Sequence, residues 1–566
     1  MRRSLVGILT VVVIAMIALA LWVSRSHLPE HSVLVLDLEG DVEDEPPRDL
    51  LAQWNARGPA LPTLLLLLDM AGADARVDGV LLNVRPLSIG YARLQELRDA
   101  LAKLRASGKT VVAHVQVEAL NATRELYLAS AASKVVIDPA ALSPLGGIAG
   151  QYVFLAGMFE KIGVRWEYTR VGEYKSAVEQ FAAKEMSPKA KEMSTGLIDG
   201  TYAQLVDGLA TGRDLSGETV RALFQKSPGT PQELVDAGLA DAIGDRTEAL
   251  ELAGLKGANE VEADKYQRVD PRSLGLRNGP QIALIFGDGA VVPERSRSFG
   301  KQFAADDVIK ALKAAADDEA IKAVVLRINS PGGDAMASDQ MWRAVKRVRE
   351  KKPVVVSMGD YAASGGYYVA SAGNAILSEP ATLTGSIGVF MLRPVFAGLY
   401  DKLDIGRELI ARGGLAAAAG GDGPLDAAQR ARLDDLVRAA YQEFLERVAD
   451  GRRSTTEAVD KLGGGRVYLG SEALAHNLVD ELGGLSAAVA RAAKEAKLES
   501  GADPTRVILP APRSPLEQLR ALVQGEANER VLRSLLPFEL PDMPELAWLS
   551  EAGALAYLPP FWLEIR

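Results

Sequence analysis

The chain predicts an α/β fold built twice in tandem, and three observations carry that expectation. Short β-branched runs alternate with helical patterns along most of the length, which argues for strands joined by helical crossovers in largely parallel sheets. The sequence also repeats itself: Tyr127-Leu-Ala-Ser130 pairs with Tyr368-Val-Ala-Ser371, and Asp138-Pro139 with Glu379-Pro380, at a spacing of 241 residues. Finally, 566 residues with 48% hydrophobic and 24% charged side chains are too many for one core but ordinary for a multidomain globular protein.

The elements follow in order. Met1-Arg2-Arg3 precedes an uncharged apolar run from Leu5 to Val23, long enough for a membrane-spanning helix. Ala18-Leu-Ala20 has the small-x-small pattern of a cleavage site, but the run continues through Leu21-Trp22-Val23, which favours an uncleaved anchor over residues 1–24. Arg2, Arg3 and the amino terminus outnumber Arg25, so the body is expected across the membrane, on the periplasmic side of a bacterial inner membrane.

A first repeat is expected over 25–270, with strands at Val33–Leu36, Gly79–Val84, Thr110–Val115 and Lys134–Ile137 and a helix over Leu94–Leu104. The polar stretch from Gly257 to Arg277 reads as the linker. A second repeat over 278–500 has its strands at Ile282–Ile285, Ala323–Ile328, Pro353–Ser357 and Ala375–Leu377. Its helical lobe places Leu433, Leu436, Val437, Ala440, Phe444 and Val448 on one face, which reads as core. From about Gly501 the pattern dissolves into a Pro-rich C-terminal tail, 501–566, ending in Tyr557-Leu-Pro-Pro-Phe-Trp562.

Composition closes off several functions. A net charge of −10 with intermixed signs offers no basic stripe for nucleic acid. The absence of cysteine removes thiolate metal sites and a cysteine nucleophile. Only four histidines exist, His27, His31, His114 and His476, and none lies in a motif, so a Ser-His-Asp site has little to draw on.

Three local patterns carry chemistry, and the repeat divides them. In Asn329-Ser-Pro-Gly-Gly-Asp334, glycines at a strand-to-helix turn leave backbone N–H groups free to hold an oxyanion. A Pro-Gly-Gly of this kind is ordinarily only a tight turn, yet the first copy builds the same turn with Pro86-Leu-Ser88 and no paired glycines. Ser364, in Ala362-Ala-Ser-Gly-Gly366, follows a strand among small residues; most such serines are N-caps. Its counterpart in the first copy is Thr123.

Lys175, in Arg170-Val-Gly-Glu-Tyr-Lys-Ser-Ala177, faces Ala416 of the second copy. Most lysines are solvated surface charges. To deprotonate a serine at neutral pH this one must titrate near 7 instead of about 10.4, a difference of ~4 kcal/mol that burial can supply. The neighbouring carboxylate of Glu173 would oppose this unless it points away. Each copy thus holds what the other lacks.

These motifs, together with Thr384-Gly-Ser-Ile-Gly388, closely resemble those of the long-form bacterial signal peptide peptidase A family, also called protease IV. The resemblance covers about residues 1 to 495. It implies tandem ClpP/crotonase-like repeats with helical lobes, Ser364 as nucleophile, Lys175 as general base, Gly332 and Gly333 as oxyanion hole, and Ser386 as the residue that orients the lysine. It also implies a membrane-tethered homo-oligomer, expected to be a tetramer, that digests remnant signal peptides without metal or other cofactor. The chain departs from the family in reading Gln180 where the family has proline. Two rivals remain from the residues alone: a crotonase-like acyl-CoA enzyme, which also uses a glycine oxyanion hole, and a catalytically inactive membrane scaffold.

Overall fold

A computed structural model describes residues 28–47, 58–295, 300–498 and 503–511. The expected anchor and the aromatic end of the tail lie outside them; among the described residues no helix is long and apolar enough to cross a membrane.

The alternating pattern resolves into two parallel sheets of the same design. The first runs Ala242–Ile243, Lys134–Ile137, Thr110–Val115, Val77–Leu87, Ser32–Gly40, Asn259–Glu262, every neighbour parallel. The second runs Glu481–Leu482, Ala375–Ser378, Val354–Ala363, Ile321–Ser330, Gly279–Asp288, Pro504–Leu509 in the same order and sense. In it Leu383–Gly385 also pairs with the far end of Val354–Ala363, and Val467–Leu469 pairs antiparallel to Leu383–Gly385.

Two segments differ from their sequence reading. Asn259–Glu262, read as linker, is the edge strand of the first sheet. Pro504–Leu509, read as tail, is its counterpart in the second, and its Val507-Ile-Leu509 lies against Ala283–Ile285. Parallel edge strands need no hairpin signal nearby, which is why neither announced itself.

Strand alternation sorts side chains between layers. Leu34, Leu36 and Leu38 from the first sheet and Ile282, Leu284 and Phe286 from the second enter one continuous apolar core. It is filled by the helices Leu61–Ala73, Tyr91–Ala106 and Leu485–Glu495, so the repeats share a core. Ala283 and Ile285 point the other way, into a second core with Met341, Trp342 and Phe444.

Each repeat carries one helix of 26 residues, Pro188–Arg213 and Ala427–Arg452. Ser187 caps the first by accepting from the Ala190 N–H, and Asp426 with Gln429 forms a capping box on the second. On the second helix Val437, Phe444 and Val448 are buried as expected, joined by Tyr441, Leu445 and Ala449. Leu436 is 40% exposed, because the buried stripe drifts toward Tyr441 and Leu445 as the helix turns. An antiparallel ribbon, Arg165–Arg170 against Phe390–Val395, ties the lobes together just before Lys175.

Candidate active site

Ser364 ends the strand Val354–Ala363 and begins the short helix Gly365–Ala370. Its backbone sits at φ 53°, ψ −119°, a conformation that costs a non-glycine residue on the order of 1–3 kcal/mol and persists only where neighbours enforce it. They do: the Ser364 N–H donates to the Gly385 carbonyl at 2.9 Å and the Thr384 hydroxyl to the Ala362 carbonyl at 2.7 Å. The glycines that follow are steric requirements. A Cβ on Gly365 would lie 2.5 Å from Ser338 Oγ, and one on Gly366 2.8 Å from the Ser330 carbonyl.

The glycine turn closes over this elbow. Gly332 and Gly333 have φ 109° and 154°, and a Cβ on Gly332 would sit 2.7 Å from Ser364 Cβ. The two N–H groups are not equivalent. That of Gly332 donates to Ser330 Oγ at 3.2 Å. Gly333 pairs with Val291 through the Gly332 carbonyl and the Asp334 N–H, which turns the Gly333 N–H to the opposite side. Its nitrogen is 3.2 Å from where a Cβ on Gly365 would stand, so it faces the Ser364 elbow.

Lys175 arrives from the first repeat. After the ribbon, Val171 donates its N–H to Val389 and Tyr174 its N–H to Gly464, both at 3.0 Å, which walks the chain along the second repeat. Lys175 is 0% exposed, and its Nζ lies 2.9 Å from Ser364 Oγ, 3.0 Å from Ser386 Oγ and 3.1 Å from the Ser386 carbonyl. A neutral amine has two protons and one lone pair. Donating to the two Ser386 oxygens leaves the lone pair to accept from the Ser364 hydroxyl. Burial alone lowers the amine to about 7. Glu173 is exposed, so the feared carboxylate points into solvent. Ser386, like Ser364, is held at positive φ, 51°, with its N–H on the Arg466 carbonyl at 2.7 Å.

All five expected residues, Ser364, Lys175, Gly332, Gly333 and Ser386, therefore meet at one place. The histidines do not: His31 pairs with Asp78, His114 is buried 3.7 Å from Asp138, and His476 lies edge-on to Tyr468, while His27 is outside the described residues. The sequence reading missed the wall behind the lysine. Gly465, at φ 84°, has no room for a side chain, since a Cβ would fall 2.5 Å from Lys175 N. Gly388 stands beside it, where a Cβ would fall 2.9 Å from the Gly465 backbone and 3.2 Å from Lys175 Cδ. The run Gly463-Gly-Gly465 was the available signal.

In the first repeat the equivalent place is filled. The Thr123 hydroxyl donates to Asn121 Oδ1 at 2.7 Å and accepts from the Gly147 N–H at 2.9 Å, and Asn121 Nδ2 donates to the Gly147 carbonyl. Ala416, opposite Lys175 in the repeat, is exposed.

Comparison with known proteins shows the family to which the chain belongs. The profile of peptidase family S49 matches residues 103–259 and 346–499, one segment in each repeat, and the Clp protease profile matches residues 297–379. The chain is 34% identical over 520 residues to "Serine protease SPPA, chloroplastic" of Arabidopsis thaliana, covering 89% of this chain and 75% of that one. It is 28% identical over 533 residues to "Protease 4" of Salmonella typhi, covering 88% and 84%. With "Protease 4" of Haemophilus influenzae it shares 29% identity over 494 residues, covering 82% and 79%. The chain belongs to peptidase family S49 and is a serine peptidase that hydrolyses peptide bonds.

Proposed function

We propose that Ser364 is the nucleophile and Lys175 the general base of a Ser/Lys dyad. The observation that carries this reading is the 2.9 Å contact between an amine held near neutrality and a strained serine hydroxyl. The amine takes the Ser364 proton as the oxygen attacks the peptide carbonyl. The Gly333 N–H, at the turn it forms with Gly332, holds the tetrahedral oxyanion. The ammonium then gives its proton to the departing amine, leaving an ester on Ser364. A water deprotonated by Lys175 hydrolyses that ester, and the proton returns to Ser364. Ser386 accepts from the amine throughout and so keeps its lone pair aimed at Ser364 Oγ.

The apolar run Leu5–Val23 supports tethering to a bacterial inner membrane with the catalytic body on the periplasmic side. With the names of the relatives, it supports remnant signal peptides and other membrane-associated peptides as substrates. The Clp protease likeness supports assembly into a homo-oligomer, with the tetramer as the expected form.

The test is the pH profile of peptide-ester turnover together with labelling of Ser364 by a serine-directed phosphonate. Turnover and labelling should rise together through a single ionisation near 7. Turnover that persists unchanged in Ser364→Ala, or labelling that ignores Lys175→Ala, would refute the dyad.

A further inference from the structure

A buried seam of charge joins the repeats behind the site, and the dyad chemistry does not use it. Arg327, 1% exposed, lies on the strand Ile321–Ser330 that leads to the glycine turn. It donates to Asp44 Oδ1 at 3.0 Å and Glu96 Oε1 at 2.5 Å, both from the first repeat, and to Ser357 Oγ and the Met358 carbonyl of the Ser364 strand. A buried guanidinium requires such partners.

Two helices here lack a capping side chain of their own and receive a carboxylate from the other repeat. Leu485–Glu495 begins after Gly484, and its Leu485 N–H donates to Glu96 at 2.8 Å. Tyr91–Ala106 begins after Gly90, and its Arg93 N–H donates to Asp360 Oδ1 at 3.1 Å. Each glycine leaves room for the incoming carboxylate, since a Cβ on Gly484 or Gly90 would lie 2.2 Å from Cγ of Glu96 or Asp360 as they now stand. An N-cap carboxylate ordinarily comes from the residue that precedes the helix. Here the exchange is reciprocal.

Asp360 stands four residues before Ser364, and Arg93 also grips it through Nε at 2.5 Å. The segment from Asp360 to Ser364 is pinned almost residue by residue: Asp360 by Arg93, Tyr361 by Asn329 Oδ1, Ala362 by Thr384 and Ser364 by Gly385. Asp360 carries the pin that comes from the first repeat.

We propose that Asp360 is a positioning residue for Ser364: by gripping Arg93 it fixes the height of the serine strand, so the repeat that delivers Lys175 also sets where its partner hydroxyl stands. The proposal rests on the dyad reading. It acts through alignment, so it affects the reacting geometry and leaves substrate contacts alone.

The full chain is assayed for kcat and KM on a peptide ester across pH, with Asp360→Ala, Asp360→Asn and Arg93→Lys. Asp360→Ala should lower kcat about a hundredfold, the scale of an ångström of misplacement, with KM nearly unchanged. The rising limb should stay near 7, because the burial of Lys175 is untouched. Asp360→Asn keeps an oxygen for the Arg93 N–H and should restore about tenfold of that loss. A kcat for Asp360→Ala within about threefold of the parent, or Asp360→Asn as poor as alanine, overturns the proposal. If the alanine variant shows no cooperative unfolding, Arg93→Lys decides: it keeps the charge and helix N–H but loses the Nε bond. A fall in kcat at constant KM then supports the proposal, and parent-like kcat overturns it. Failure of the dyad reading shows separately, as activity that survives Lys175→Ala.

Discussion

A lysine amine surrounded by three oxygens and no carboxylate is an unstable tenant of a protein interior, and Lys175 is one. In the unfolded chain such an amine titrates near 10.4. In the folded protein it titrates near 7, so between those values the unfolded chain binds more protons and stability rises with pH. At neutral pH the difference is worth ~4 kcal/mol against folding. Lys175→Met should therefore abolish turnover and yet raise the unfolding midpoint at pH 7, with the gain shrinking toward pH 10. Denaturant unfolding of parent and variant across that range checks it; a variant less stable than the parent at pH 7 would mean the hydrogen bonds to Ser364 and Ser386 outweigh desolvation. Kinetics gives a second residue-scale expectation. Lys175→Ala and Ser364→Ala should each cost several orders of magnitude and the double variant little more, because groups acting as one unit are not additive. Lys175→Arg should be as poor as alanine, since a guanidinium cannot give up its proton near neutral pH. Losses that multiply in the double variant would remove the lysine from the base role.

At the scale of elements, the glycine turn and the edge strand make separate predictions. The Gly333 N–H faces the Ser364 elbow while that of Gly332 is spent on Ser330. Replacing the Ser330 hydroxyl by Ser330→Ala should therefore leave turnover within about an order of magnitude of the parent, whereas loss of one oxyanion donor costs about a hundredfold or more. A loss on the larger scale in Ser330→Ala, in a variant that unfolds like the parent, would show that the Gly332 N–H must also be held in place. The edge strand Pro504–Leu509 pairs along Gly279–Ile285, which lies next to the strand carrying the glycine turn. A chain ending at Ala511 should keep a cooperative transition and activity, while one ending at Ser500 should unfold at lower denaturant. Equal midpoints for the two would show that the strand adds nothing.

For the whole molecule, the shared core and the split site make the repeats interdependent. Residues 28–277 and 278–511 made separately should each be inactive, and each should expose the apolar face that Leu36 and Leu284 now bury together. Mixed during refolding, they should regain turnover if the halves associate. Activity of the second half alone would sink the shared site. Ser364, Lys175, Gly332, Gly333 and Ser386 all follow the apolar N-terminal run in sequence, so a chain beginning at the buried Leu28 should hydrolyse a peptide ester at the parent's kcat.

Much of this was legible beforehand because strands and turns obey local rules. Thr110–Val115 and Lys134–Ile137 have the bounds that their β-branched runs imply, and the duplication foretold two copies of one sheet. The residues of the candidate site stood out through paired motifs, each complete only in one copy. The same spacing of 241 also foretold a final strand, since a first repeat that ends near 270 requires a second that ends near 511. That inference was missed because Asn259–Glu262 is polar enough to resemble linker, while Pro504–Leu509 is a short run set in a Pro-rich tail. What no local pattern holds is the meeting of distant chain. Lys175 and Ser364 are 189 residues apart, Asp360 and Arg93 are 267 apart, and Gly465 backs the lysine from farther still. Whether Glu173 faces its neighbour or solvent, and whether a lysine is a surface charge or a base, depends on what the other repeat brings against it. Sequence determined the groups and the fold that carries them; only tertiary packing decided their solvation, and solvation sets the chemistry of an amine.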